Sequence, residues 1–412
     1  MAAITIDSQR LWNSLMDLAK IGATAKGGVC RLALTDLDRQ ARDLFTSWCT
    51  AAGCTVAVDG IGNIFARRPG RNDQLPPIIA GSHIDTQPSG GKFDGNFGVL
   101  AGLEVVRSLN DHGIQTEAPI EVVVWTNEEG SRFTPVMMGS GVFVDAFTLE
   151  STLQRTDLDG VTVGEALTKI GYSGSDPPGN RPVGAYFEAH IEQGPILEDS
   201  QKVIGVVGGA LGLRWYDVVV TGQDAHAGPT PMRLRKNALV AASKMVADIN
   251  ELAHRFQPDG RATVGFMQVK PNSRNVIPGE VKFSIDLRHA EDDALDKMEA
   301  QTRALCERQA QSGSVTVDVE RVANYPACKF DVKCVASVRG AARKLGISHM
   351  DIVSGAGHDA IYMARVAPTS MIFVPCEGGI SHNELENAKA EDLAAGCNVL
   401  LNVMLEQAQV AK

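Results

Sequence analysis

Hydrophobic positions along the first half of the chain fall into short solid runs separated by stretches of helical spacing. Residues 77–83 (PIIAGSH) and 120–126 (IEVVVWT) are apolar runs that end in polar residues, and 185–190 (AYFEAH) is a third. Runs of this length without alternation predict strands buried on both faces. Between the first two, residues 95–109 place Val99, Leu100, Leu103 and Val106 at helical spacing, and the polar residues 110–113 supply a stop. Alternation of strand and helix predicts an α/β layer.

The pattern changes at residues 205–212, where Gly205, Gly208, Gly209 and Gly212 suit a hinge or a domain crossing. Beyond it the sequence predicts a strand at 215–221, a helix at 237–256, paired strands at 262–269 and 280–288, and an amphipathic helix at 293–311. That order suits a small ferredoxin-like α+β domain inserted in a larger one. The α/β pattern resumes after residue 330 with a helix at 335–345, a strand at 370–374 and a helix at 388–407. The expected organisation is a catalytic domain over 1–211 and 328–412, interrupted by a lid or dimerisation domain over 212–327. An exposed strand edge on such a small domain predicts a homodimer formed through it.

Bulk properties narrow the function. At 412 residues, with 44% hydrophobic and 21% charged residues, the chain is expected to fold throughout, as two domains. A net charge of −10 argues against a nucleic-acid partner and leaves small molecules or proteins. Eight cysteines lie singly with no CxxC pair, the start of the chain lacks a basic segment followed by an apolar run, and no span of membrane length occurs. A cytoplasmic protein without a membrane partner is the expectation.

Candidate chemistry sits where the predicted strands end. His83 and Asp85 follow the first, Asp94 lies in the glycine-rich turn that opens the next helix, Glu128 and Glu129 follow the second strand, and His190 ends the third. Imidazoles and carboxylates are the ligand set of zinc-type ions. Each element alone has an ordinary explanation: His-x-Asp recurs by chance, adjacent glutamates are commonly a solvated pair, and a lone histidine is commonly hydrogen-bonded structure. Recurrence at successive strand ends argues otherwise, because ligands from one sheet edge converge on the crevice where α/β enzymes keep their sites.

The segments GSHIDTQPSGGKFDGNFGVLAG, WTNEEGSRF, FEAHIEQGPILE, VTGQDAHAGPTPM, SRNVIPG, DLRH, SGAGHDA and GGISHNE resemble, in order and over nearly the whole length, the amidase, hydantoinase and carbamoylase branch of the M20 metallopeptidase superfamily. The resemblance implies two divalent ions (zinc, manganese, cobalt or nickel) bridged by Asp94, with His83 and His190 on one and Glu129 and His382 on the other. It implies Glu128 as general base toward a shared, activated water, and Asp85 as acceptor of the free ring N–H of His83. His226 is the implied oxyanion donor. Arg288 and Asn275 are implied to hold a substrate carboxylate, with Gln193 near the ions and the Gly357–His358 turn nearby; Arg214 and Arg233 are weaker candidates.

The implied reaction is hydrolysis of the ureido group of an N-carbamoyl-L-amino acid to amino acid, carbon dioxide and ammonia. Allantoate, ureidoglycolate and N-carbamoyl-β-alanine are alternative small-molecule substrates, and a single cationic anchor, Arg288, leans toward a monocarboxylate. A peptidase and a non-catalytic binding protein on a decayed fold are further alternatives; retention of all five ligands and Glu128 argues against decay. In one respect the chain departs from the family pattern: Asn383 and Glu384 follow His382 where Ser-Pro-Glu is frequent.

Overall fold

The computed structural model describes residues 4–411. By internal contacts the chain divides into two compact units, one of residues 1–208 with 329–412 and one of residues 209–328.

The first unit is built on a nine-stranded sheet. Its centre is four parallel strands in the order Ile120–Trp125, Ile78–His83, Ala185–Ile191 and Thr369–Val374. Every residue of these four is buried, which is why they read as solid apolar runs rather than as alternation. Antiparallel strands extend both sides: Ile64–Arg68 and Thr55–Val58 beside Ile120–Trp125, and Ile204–Ala210 beside Thr369–Val374. The helix Asn96–Asp111 is buried at nearly every position, its small residues admitting the sheet; a Cβ at Gly98 would lie 2.5 Å from the Ala189 carbonyl oxygen. Parallel strands carry their C-terminal ends to a common edge, and the sheet register sets His83 opposite Trp125 and His190 opposite Phe373 there.

The second unit is a five-stranded antiparallel sheet with two helices, Ala238–Ala253 and Asp292–Gly313. Its longest strands run in the order Glu280–His289, Gly212–Thr221, Thr316–Tyr325. The sheet buries Tyr216, Val218, Val220, Val281, Phe283, Ile285 and Leu287 against the helices, and the alternation of buried and open residues along Gly212–Thr221 follows from that one-sided packing.

Of the hinge or domain crossing expected at residues 205–212, the crossing is observed: the two units divide between Gly208 and Gly209, within the strand Ile204–Ala210. A Cβ at Gly205 would stand 2.9 Å from both Ile352 and Phe373, so this glycine serves close packing instead of flexibility. The strand expected over 262–269 is two, Arg261–Thr263 and Met267–Lys270. Both pair with Glu280–His289. Among the described residues no helix is long and apolar enough to cross a membrane.

Candidate metal centre

Side chains from three strand ends (His83, Glu129, His190), from the helix-opening turn (Asp94) and from the loop after Thr369–Val374 (His382) meet at the C-terminal edge of the parallel strands. Asp94 is central. Its Oδ1 lies 3.3 Å from His190 Nε2 and 3.7 Å from His83 Nε2, while its Oδ2 lies 3.3 Å from His382 Nε2. His382 Nε2 also stands 3.3 Å from Glu129 Oε2. Two sets, His83–Asp94–His190 and Asp94–Glu129–His382, each present donor atoms within 4.8 Å of one another and share Asp94.

The backbone explains the convergence. Gly95, which caps the following helix at φ 67°, leaves the space occupied by the His83 ring: a Cβ there would be 2.4 Å from its Nε2. Asn127, Gln193 and His382 all hold positive φ, a conformation that non-glycine residues adopt at a cost and that re-aims the chain at each strand end.

Hydrogen bonds orient the imidazoles. His83 Nδ1 is 2.9 Å from the main-chain oxygen of Asp85, and His190 Nδ1 is 2.8 Å from that of Ile191. Carbonyls only accept, so each ring carries a proton on Nδ1 and aims Nε2 at Asp94. The expected role of Asp85 is corrected here. Its carboxylate lies 3.9 Å from His83 Nδ1 and instead accepts the main-chain N–H groups of Glu128 and Glu129 at 3.2 and 3.3 Å. Asp85 thus fixes the glutamate turn with its side chain and the His83 tautomer with its backbone.

Electrostatics at this edge are dominated by crowded acids. Burial, then the charges of Asp359, Glu129, Asp85 and Asp94, holds Glu128 well above the usual carboxylate range. Burial and Asp94 push Glu129 up to about 8, and burial pushes Asp85 up to about 7. Burial opposes ionisation of Asp94 too, but His190 and His382 outweigh it and hold that carboxyl well below its usual value. Hydrogen bonding to Asp94 lifts His382 to about 9, whereas burial lowers His83 to about 4. So many buried carboxylates facing the Nε2 atoms of aimed imidazoles fit divalent cations, which would neutralise the acids and take the place of the protons held between them. Asp94, with one oxygen toward each donor set, fits a bridging ligand.

Other residues singled out from the sequence fall into place as follows. Glu128 Oε2 is 3.6 Å from His83 Nε2. Gln193 Nε2 donates to Asp94 Oδ2 at 2.8 Å. Gly357 is exposed, but His358 is buried behind His190, its ring 4.6 Å from that ring and its Nε2 bonded to Ser354 Oγ. His358 thus turns its ring inward onto His190, and Gly357 is the open residue of that turn.

In the second unit His226 and Asn275 are brought together by a two-stranded ladder that pairs Val276 with His226. His226 Nδ1 accepts the N–H of Gly228, which leaves its exposed Nε2 as a donor. Arg288 points its guanidinium at Asp286, donating from Nε and Nη2 at 3.0 and 2.8 Å. Arg214 is buried among Asp296, Glu299 and Asn324 and serves the packing of its own unit. Arg233 lies in the short helix Met232–Leu234, exposed.

The sequence reading passed over Gln87, Arg31 and Glu386. Gln87 holds Glu129 through both its main-chain N–H, 3.1 Å from Oε1, and its side-chain amide, 2.7 Å from Oε2. Arg31 is fully buried and donates to the carbonyls of Leu18, Ile21 and Ile84 and to Asn96, fixing the segment after His83. A polar residue beside an already assigned motif was the available signal for Gln87; nothing local marks the other two.

Residues 79–406 match the model of peptidase family M20/M25/M40, and the chain belongs to that family. It is 48% identical over 407 residues to an N-carbamoyl-L-amino-acid amidohydrolase of Rhizobium meliloti, covering 99% of this chain and 98% of the relative. Identity to an allantoate amidohydrolase of Bacillus subtilis is 33%, with 96% and 98% covered. Among solved structures, an amidase of the hydantoinase/carbamoylase family from Burkholderia multivorans superposes with a TM-score of 0.96 at 59% identity, with 98% of each chain covered.

Proposed function

We propose that this member of the M20/M25/M40 family is an N-carbamoyl-L-amino-acid amidohydrolase with two divalent ions, one in each donor set that shares Asp94. The observation that carries the reading is the placement of Asp94, one oxygen toward His83 and His190 and the other toward His382, with Glu128 alongside. The relative named for this activity, 48% identical over nearly the full chain, supports the substrate class.

His83, Asp94 and His190 would hold one ion and Asp94, Glu129 and His382 the other; bound there, the ions supply the charge that acidifies water and polarises a carbonyl. Glu128, kept ionised when the cations are bound beside it, accepts the proton of the attacking water and delivers it to the departing nitrogen. His226 donates from Nε2 to the oxyanion, and Arg288 with Asn275 holds the substrate carboxylate. Water adds to the ureido carbon, the C–N bond breaks, and the carbamate formed decomposes to carbon dioxide and ammonia.

The unit of residues 209–328 is read as lid and dimerisation domain, its strand Thr316–Tyr325 at an open edge of the sheet and available for pairing with a second copy. All eight cysteines are free thiols, in keeping with a cytoplasmic address. Ammonia release by manganese-loaded protein from N-carbamoyl-L-amino acids, N-carbamoyl-β-alanine, allantoate and ureidoglycolate tests the function. Release from the first class, lost about 10²–10⁴-fold in Glu128→Gln with metal content unchanged, is the expected result. Silence across the panel from metal-loaded protein would sink the ureido assignment, and sedimentation as a monomer at micromolar concentration would refute the dimer.

A further inference from the structure

Glu386 stands four residues beyond His382, in the loop where the sequence departs from its family, and it is 2% exposed. Its Oε1 accepts the main-chain N–H groups of Phe93 and Asp94 at 2.9 and 3.1 Å. Its Oε2 accepts the hydroxyl of Ser381 at 3.0 Å, and Ser381 Oγ also lies 2.9 Å from Asp94 Oδ2. Room for the carboxylate is made by Gly91, where a Cβ would sit 2.1 Å from Glu386 Oε1. One buried acid thereby ties the turn that carries Asp94 to the loop that carries His382, across 292 residues of sequence.

From these contacts we infer that Glu386 is a positioning residue: it holds the Asp94 turn and the His382 loop in register, so that one carboxylate can serve both donor sets. The inference rests on the two-ion reading above. Its physical basis is that a buried carboxylate has acceptor capacity for several N–H and O–H groups at once, and that donors left without it in the interior would be unsatisfied. A Ser381 hydroxyl has a single proton for two acceptors, Glu386 and Asp94. Glutamine at 386 can accept both main-chain N–H groups through its amide oxygen and donate to Ser381 through its nitrogen, freeing that proton for Asp94. Alanine can do neither.

The test is titration of metal-free full-length protein with Co²⁺, read by calorimetry and by the visible absorption of bound cobalt, with the unfolding temperature of the metal-free state recorded alongside. Wild type takes up two equivalents. Glu386→Gln is expected to bind both within about threefold of wild type, with the same spectrum. Glu386→Ala is expected to bind the second equivalent at least tenfold more weakly, with an altered cobalt spectrum. Should Glu386→Ala fail to fold, Glu386→Asp carries the test, since withdrawing the carboxylate by one methylene breaks the bridge and predicts the same loss. Two equivalents at wild-type affinity in the folded variant, or Gln as defective as Ala, overturns the inference. Fewer than two equivalents in wild type would instead overturn the two-ion reading itself.

Discussion

Replacing Gly95 with alanine should disable the centre while leaving most of the fold intact. The glycine has φ 67° and ψ −47°, a combination outside the regions open to L-residues, so the backbone alone loses about 1–3 kcal/mol. The larger effect is steric. An added Cβ would lie 2.4 Å from His83 Nε2 and Cε1, and ordinary contact begins at 3.4 Å, so the imidazole must retreat by about 1 Å. It has nowhere suitable to go: the ring is 2% exposed and tethered through Nδ1 to the Asp85 carbonyl. A misplacement of about 1 Å at a reacting centre costs on the order of 10²-fold in rate, and misorienting a ligand lowers metal affinity about 10–100-fold. Gly113→Ala is the matched control. Its φ is 61°, but a Cβ there would meet nothing within 4 Å, so it tests the backbone cost by itself. The assay is kcat/KM for the best ureido substrate with metal content measured by emission spectroscopy on the same sample. Gly95→Ala should lose about 10²-fold in kcat/KM and part of its metal, and Gly113→Ala neither. Wild-type metal content and kcat/KM within threefold in Gly95→Ala would refute the reasoning.

Three further outcomes follow from the structure. Arg288→Lys replaces a planar fork by a point charge, so KM for an N-carbamoyl amino acid should rise about 10–100-fold, the equivalent of about 1.5–3 kcal/mol, with kcat nearly unchanged; an unaltered KM would remove Arg288 from the carboxylate site. The metal-free protein should lose stability as pH rises from 6.5 to 9. Glu129 at about 8, Asp85 at about 7 and His190 and His382 at about 9 all lie above their ordinary values, so each contribution is present at low pH and lost as pH passes the folded value. His83, lowered to about 4, opposes this trend only near pH 6.5, where its unfolded form still titrates, and adds almost no slope above about 7.5. Divalent ions reverse the loss, so the rise in Tm on adding Mn²⁺ should be larger at pH 8.5 than at 6.5; a shift that shrinks with pH contradicts this. Arg31→Met strands two buried carbonyls, the half-buried carbonyl of Ile21 and Asn96 Oδ1, and a loss of about 3 kcal/mol or more in chemical denaturation is expected, where a change under about 1 kcal/mol would show that water replaces the guanidinium.

The parallel strands were legible because burial on both faces writes itself as unbroken apolar runs: 77–83, 120–126 and 370–374 agree with the observed strands to within a residue or so. The helix Asn96–Asp111 was legible for a similar reason. The edge of the sheet was not. Thr55–Val58 is short and partly open and Ile64–Arg68 has only Ile64–Ala66 buried, so neither carries a run long enough to mark it, and the helices Ser8–Ala19 and Asp36–Ala51, although capped by Asp7 and Thr35, bury only one face and do not stand out as runs. At Ile204–Ala210 the glycines suggested flexibility, whereas the structure uses Gly205 to bring backbone against Ile352 and Phe373. At the site, residues fixed by position along a strand could be named from sequence. Contacts that depend on which atom of a residue does the bonding could not: Asp85 fixes His83 through its carbonyl, and Glu386 looks like one more loop acid until the fold encloses it.

The arrangement of the sheet also has a consequence for how the protein is born. His83, Asp94 and His190 leave the ribosome in the first half of synthesis, together with three of the four central strands. The fourth, Thr369–Val374, comes near the end and lies between Ala185–Ile191 and Ile204–Ala210, which were made long before. A nascent chain that has reached residue 300 therefore holds the whole donor set of one triad, an unfilled gap in its sheet, and neither His382 nor Glu386. The gap delays closure of the sheet until translation is all but complete, so the edges of Ala185–Ile191 and Ile204–Ala210 stay unpaired through most of synthesis and are where an unfinished chain is open to aggregation.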